Sequence, residues 1–282
     1  MKKALALCLV EIAVISLAIW QPTIGWLSPE IFASLLFPIF FLIVLPISAI
    51  WLWRSEGRTF QDIGLHRDIN LKKLLMWGLL LGLIIPVIVI LVQVLCGWVV
   101  LSPNTISYGD LPFFVIVPGY IALTLLKTMM NVSIEEFVFR GYFLHRFAVG
   151  IGVVWGALFS SILWGIGHLV SMVSEGLSPF SIAMAMLTFT LWGIALSTGC
   201  WRNGKSLWFP FGVHYGVNIS FSLLGAFLQA SYKAPQWLVG NPNWVPESGI
   251  LGTLVWLVVI LVVLKITPIA KLNKKSEARV IV

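Results

Sequence analysis

A chain of 282 residues with 59% apolar side chains, 10% charged ones and a mean hydropathy of +0.99 lies outside the composition of soluble globular domains and reads as an integral membrane protein. Its net charge of +7 does not point to nucleic acid, because the basic residues fall between apolar runs and do not cluster with aromatics on one surface. Three cysteines, Cys8, Cys96 and Cys200, sit in separate apolar segments without a C-x-x-C spacing and read as reduced packing residues rather than disulfides or metal ligands.

Met1-Lys2-Lys3 followed by an apolar run resembles a signal peptide. No small-residue cleavage site closes it, so a retained first span is expected. Apolar runs long enough to cross about 30 Å of hydrocarbon, roughly 20 residues each, lie at about 4–21, 31–53, 74–101, 112–139, 152–173, 180–200, 208–230 and 250–267. Cytoplasmic loops should hold the excess of Lys and Arg. Alternate connections, from Lys2 and Lys3 through the cluster at 54–73, Arg140 and Arg146, and Arg202 and Lys205 to the tail, hold sixteen of the eighteen basic residues. Lys233 falls on the other side and Lys127 inside the fourth run. Trp20, Trp26, Trp51, Trp53, Trp98, Trp201, Trp208 and Trp237 lie near run ends, where interfacial aromatics gather. The expected fold is all-α: a polytopic membrane protein, a bundle of about eight transmembrane helices with both termini cytoplasmic. It forms one membrane domain over residues 1–282, with catalytic core helices at 112–230. A bacterial inner membrane is the expected location.

Ionisable residues inside such segments are costly and mark function first. Glu135 and Glu136 are adjacent at the end of the fourth run. On a helix Glu136 and Arg140 are spaced i,i+4 and can pair, while Glu135 points about 100° away and is left available. A carboxylate kept in a low-dielectric pocket suits a general base; a plain ion-pair staple is the competing reading. Lys127 and Asn131 step back from Glu135 at intervals of four, a stripe that fits a water-accessible cavity or a helix contact; a structural role is expected for both. In the fifth run Ser160, Trp164 and His168 share one face. In the seventh, His214 and Asn218 lie i,i+4 and can aim two hydrogen bonds at one point, as an oxyanion stabiliser needs. Measured from their cytoplasmic turns at 1.5 Å per residue, Glu135 and His214 come out about 15–20 Å along their helices and His168 nearer 30 Å, so extension, tilt or a kink at Pro118 or Pro210 has to close the gap. Glu11 is expected as a structural contact, and His66 and His145 as residues of charged cytoplasmic loops.

The ordered elements E-E-x-x-x-R, aromatic-x-x-x-H and H-x-x-x-N are similar to the CPBP family, the CAAX proteases and bacteriocin-processing enzymes also called Abi proteins. Asp62-Ile63-Gly64-Leu65 ahead of Leu71-Lys72-Lys73, and Gly204-Lys205-Ser206-Leu207-Trp208, support the resemblance over roughly residues 60–230. Trp164 stands where the family usually has Phe, a change that keeps an aromatic wall. The resemblance implies intramembrane-type peptide hydrolysis near the cytoplasmic face. Glu135 with His168 would activate water, His214 with Asn218 would hold the oxyanion, and Glu136 and Arg140 would support them. Two histidines and a glutamate (Glu135, His168, His214) could also supply three zinc ligands with an open position; the same residues suffice without a metal. The implied partners are a peptide or protein substrate, lipidated or membrane-associated, and the bilayer.

Other protease classes fit badly: the chain has no H-E-x-x-H helix, no partner for Asp110 as a second intramembrane aspartate, and no G-x-S-G motif. The readings from other classes are a proton-coupled transporter or channel, which uses the same residue types but whose paired broken helices are not evident, and a non-catalytic bacteriocin-immunity protein.

Overall fold

The computed structural model describes residues 1–24, 37–65, 70–103, 113–240 and 248–267. The described residues are about 80% helical, and a helix lies within each of the eight apolar runs. The helices are α1 (Lys2–Ile24), α2 (Phe37–Ile39, Phe40–Val44 and Leu45–Arg54, the middle piece π-helical), α3 (Leu71–Leu95) and α4 (Phe113–Glu135). A π-helix (Glu136–Phe143) and α5 (Leu144–Ile151) continue α4 without a break. There follow α6 (Val153–Gly167), α7 (Leu169–Ser174), α8 (Pro179–Arg202), α9 (Trp208–Phe227), α10 (Gln236–Val239) and α11 (Ile250–Ile266). Leu71–Leu95, Val153–Ser174 and Pro179–Arg202 are each long and apolar enough to cross a membrane. With the apolar surface outside and the polar groups inside, this is an integral membrane protein.

Two runs end differently from expectation. The third and seventh stop being helical at Leu95 and Phe227, and their ends pair as an antiparallel ribbon, β1 (Val99–Pro103) with β2 (Leu228–Tyr232), in the register Val99↔Tyr232 to Pro103↔Leu228. Gly97 causes the first break: at φ +69° it takes the left-handed conformation, and the Trp98 N–H closes the helix end on the Gln93 carbonyl at 2.9 Å. The β-branched Val99 and Val100 then favour the strand.

Glycines set the closest helix contact. Gly78 and Gly82 on α3 face Gly212 and Gly216 on α9, the two helices running parallel. A Cβ on Gly82 would lie 2.2 Å from the Val213 carbonyl oxygen, and one on Gly212 would lie 2.5 Å from that of Leu75. Backbones this close leave room for no side chain, the small-residue packing that membrane helices use in place of a hydrophobic drive. At 3.6 residues per turn, His214 and Asn218 stand two residues, about 200°, from these glycines. The seam on α3 therefore turns them toward the centre of the bundle.

The stretches around Gly64 and Gly204–Leu207 lie against each other. The Leu207 N–H donates to the Gly64 carbonyl at 3.1 Å, and a Cβ on Gly64 would collide with the Lys205 carbonyl oxygen at 2.0 Å. Ile63, buried completely, supports the π-helix, since a Cβ on Gly141 would meet its methyl at 2.7 Å. Two segments 140 residues apart thus make one clasp beneath the acidic pair.

Candidate functional site

The fourth and fifth runs fold as a hairpin that turns at Gly152, whose φ of +87° ends α5. Glu135 lies seventeen residues before this turn and His168 sixteen after it, so both stand roughly 24–26 Å along their arms. The expected mismatch in depth came from placing the turn too early, near Arg140 and Arg146. The helix in fact continues to Ile151, which brings the two residues level, with no kink required.

The register within the π-helix separates the two glutamates. Glu136 is sealed, its side chain 2% exposed, whereas the Glu135 side chain is 25% exposed toward a cavity of about 470 Å³. Glu136 Oε1 accepts from Arg140 Nη1 at 3.0 Å and from His214 Nδ1 at 2.7 Å. Arg140 is itself fully buried, so the pair is a neutralised ion pair with one further donor fixed on it. A π-helical turn in place of a regular one is common where a helix carries function.

Because a carboxylate only accepts, the His214 ring carries its hydrogen on Nδ1 and presents Nε2 to the cavity, 3.8 Å from Glu135 Oε2. That oxygen accepts from the indole Nε1 of Trp164 at 2.6 Å. His168, at the end of α6 where the helix breaks into α7, donates from Nδ1 to the Trp164 carbonyl at 2.8 Å, which makes Nε2 the lone-pair nitrogen of the neutral ring. Its ring stacks on Phe189 with centroids 4.4 Å apart. Trp164 and Trp192 each meet the His214 ring edge-on, with centroids 5.3 Å apart.

Glu135, His168, His214 and Asn218 all line the one cavity, and so do Lys127 and Asn131. The i,i+4 stripe on α4 is therefore a cavity wall. Glu136 and Arg140 lie behind that wall. Ser160 does not reach it; its hydroxyl donates to the Ala157 carbonyl at 3.2 Å.

Sequence reading gave Trp164 too small a part. Beyond walling the pocket, it donates to Glu135 and takes the Arg140 guanidinium against its face at 4.4 Å, neither of which a phenylalanine could do in full. The α8 aromatics Phe189 and Trp192 were also missed. The sixth run holds no charged residue before Arg202, so nothing in its composition distinguishes them from packing residues.

The remaining candidates fall elsewhere. His145 is on helix α5 rather than in a loop and is 6% exposed. It lies beyond the fourth apolar run and donates from Nδ1 to the Arg140 carbonyl at 2.8 Å, and burial pushes its imidazole down to about 4, so it is a neutral strut under the ion pair. His66 and Asp110 lie outside the described residues. Glu11 is fully buried beside Gly167. Cys8, Cys96 and Cys200 are all free thiols. Trp53 is buried, its indole N–H on the Thr59 carbonyl at 2.9 Å, and is not interfacial.

As a zinc site the residues do not fit as placed: among the described residues no three His, Cys, Asp or Glu side chains gather as a ligand set. His214 Nε2 and Glu135 Oε2 are 3.8 Å apart, and that oxygen of Glu135 is already taken by the indole.

Neither a curated protein nor a solved structure matches the chain. Residues 117–220 match the family model described as Rce1-like, type II CAAX prenyl endopeptidase Rce1-like, so over the stretch that holds all six candidate site residues the chain matches the CAAX protease family its motifs resemble.

Proposed function

We propose that this protein is a CAAX-type intramembrane endopeptidase that hydrolyses a peptide bond near the cytoplasmic membrane face. The observation that carries the reading is the convergence of Glu135, His168, His214 and Asn218 on one cavity, from three helical segments that are otherwise largely apolar.

A water between Glu135 and the Nε2 of His168 is deprotonated as its oxygen attacks the scissile carbonyl. Glu135 Oε1 is the oxygen that does this, because Oε2 is fixed by Trp164. The proton passes to the leaving amine as the C–N bond breaks, the usual exchange of base for acid. His214 Nε2 and the Asn218 amide donate to the oxygen that becomes negative. Donation by His214 requires a second ring proton. Glu136 and Arg140 hold the imidazole in place. The substrate is a peptide or protein end delivered from the membrane, lipidated or membrane-associated.

Replacement of Glu135, His168 or His214 by Ala in the purified full chain is expected to reduce peptide cleavage by about a hundred- to ten-thousand-fold each while the protein remains folded in detergent. Mass spectrometry of digested peptide mixtures measures this, and cleavage retained by all three variants overturns the reading. No step passes through a metal ion. Dialysis against a chelator, with bound metal measured before and after, is expected to leave the rate unchanged; activity that falls and returns with zinc overturns that part.

A further inference from the structure

A smaller chamber of about 80 Å³ adjoins the site on the side of α2. Leu42 and Leu45 of α2 line it, facing Asn131, Glu135, Val138 and Phe139. Asn131 and Glu135 also line the larger cavity, so the two spaces share this polar pair, and every other side chain around the chamber is apolar. Both π-helical segments among the described residues reach it, Leu42 from Phe40–Val44 and Val138 and Phe139 from Glu136–Phe143. Such turns are rare and gather at functional places. The one after Glu135 separates the two glutamates; the one in α2 faces it across the chamber.

Hydrolysis consumes one water for each bond: its oxygen joins the acyl carbon and a proton leaves with the amine. The larger cavity, about 470 Å³, has the size of a small-ligand pocket, so a bound peptide displaces the water it held, and the surrounding hydrocarbon supplies none. The chamber meets both conditions for internal water, room and polar partners. At roughly 30 Å³ per molecule it takes two or three; the Asn131 carboxamide offers donor and acceptor, and the Glu135 carboxylate accepts. A carboxamide in an apolar run ordinarily hydrogen-bonds a neighbouring helix, yet among the described residues Asn131 has no such partner. It stands four residues before Glu135 on α4, about 6 Å along the axis, a step of about two hydrogen-bond lengths. We infer that the chamber between α2 and α4 is a water-binding site, held by Asn131, that supplies the hydrolytic water to Glu135 while peptide fills the larger cavity.

This inference rests on the protease reading, and two measurements on the detergent-solubilised full chain separate them. Radiolytic hydroxyl-radical footprinting oxidises side chains that lie against bound water and needs no substrate. Phe139 and Phe143 are both sealed from outside, at 1% and 0% exposure, and of the two only Phe139 lines the chamber. Phe139 is expected to be oxidised about tenfold faster than Phe143 or more, and in Asn131→Leu no faster. The second measurement is kinetics on a peptide that wild type cuts and Glu135→Ala does not. Asn131→Leu is expected to lower kcat about tenfold, the loss of one hydrogen bond, with KM within about twofold of wild type. Asn131→Ser, which keeps a hydroxyl, is expected to retain more of the rate. Leu42→Phe, which narrows the chamber without lining the larger cavity, is expected to lower kcat by about three- to tenfold.

If wild type cuts nothing, or Glu135→Ala cuts equally well, the protease reading fails and this inference fails with it. If Glu135-dependent cleavage occurs but Phe139 is oxidised no faster than Phe143, only the inference is overturned. Asn131→Leu with a raised KM and an unchanged kcat also overturns it, because the carboxamide then serves the peptide in the larger cavity. Oxidation of Phe139 that persists in Asn131→Leu overturns the part given to Asn131. Should Asn131→Leu not fold, the wild-type footprint and the kcat of Leu42→Phe remain decisive.

Discussion

Helix α9 has two faces that follow opposite rules. On one, Gly212 and Gly216 have no side chains and the α3 backbone fits against them so closely that even a Cβ would clash. On the other, His214 and Asn218 carry polar groups into a cavity, where each must find a partner or water at a depth hostile to both. The first face supplies no chemistry and fixes position. The second supplies the chemistry and depends on that position, because a hydrogen bond of 2.7 Å between His214 and Glu136 tolerates only a few tenths of an ångström of helix movement. A polar site in a bilayer thus needs a rigid apolar frame behind it.

This contrast is open to attack from either face. Gly82→Val should have the largest effect, since its Cβ would sit against the Val213 carbonyl and rigid backbone cannot yield as a side chain can. The cost should be about 3 kcal/mol or more, seen as a lowered melting temperature and aggregation on size-exclusion chromatography in detergent. Asn218→Ala, on the opposite face, should leave the melting temperature unchanged and reduce kcat by about a hundredfold, the usual loss of one oxyanion donor. A stable, active Gly82→Val protein would show that the frame is not what positions the site. An Asn218→Ala protein that melts early would show that the two faces do not divide the work.

Much of the site was legible because the membrane makes polar residues conspicuous. Glu135, Glu136, Arg140, His168, His214 and Asn218 stand out in apolar runs, and i,i+4 spacing sufficed to pair Glu136 with Arg140 and to leave Glu135 to the cavity. Depth was harder to read. The run that holds Glu135 ends at about residue 139, but the helix goes on to Ile151 because Phe143, Leu144 and Phe147 bury themselves in protein, and hydropathy does not distinguish that burial from a loop. The π-helix left no sequence mark either. The ribbon of β1 and β2 was hidden by apolar residues that serve a strand and a span equally well, although Gly97 was a stop signal. The G-x-x-x-G spacings at Gly78–Gly82 and Gly212–Gly216 were visible and would have shown which helices meet. Partners made through aromatic N–H groups were not visible, because a tryptophan in a membrane segment looks the same whether its indole faces lipid or a carboxylate.

Trp164 is where that blindness has the greatest consequence, and Trp164→Phe measures it. Phenylalanine keeps most of the ring that packs against His168, Phe189, Trp192 and His214 and loses the N–H that holds Glu135 Oε2 at 2.6 Å. If the tryptophan is only a wall, the variant should cleave as well as wild type and lose stability only in proportion to the smaller ring. If it positions the carboxylate, kcat should fall by about ten- to a hundredfold, the worth of a hydrogen bond to a charged group, with KM unchanged because phenylalanine keeps the aromatic wall of the cavity. The effect should be smaller than that of Glu135→Ala, since the carboxylate is still present and merely rotates more freely away from the attacking water. A raised KM without a fall in kcat would show that Trp164 serves substrate binding and does not position Glu135.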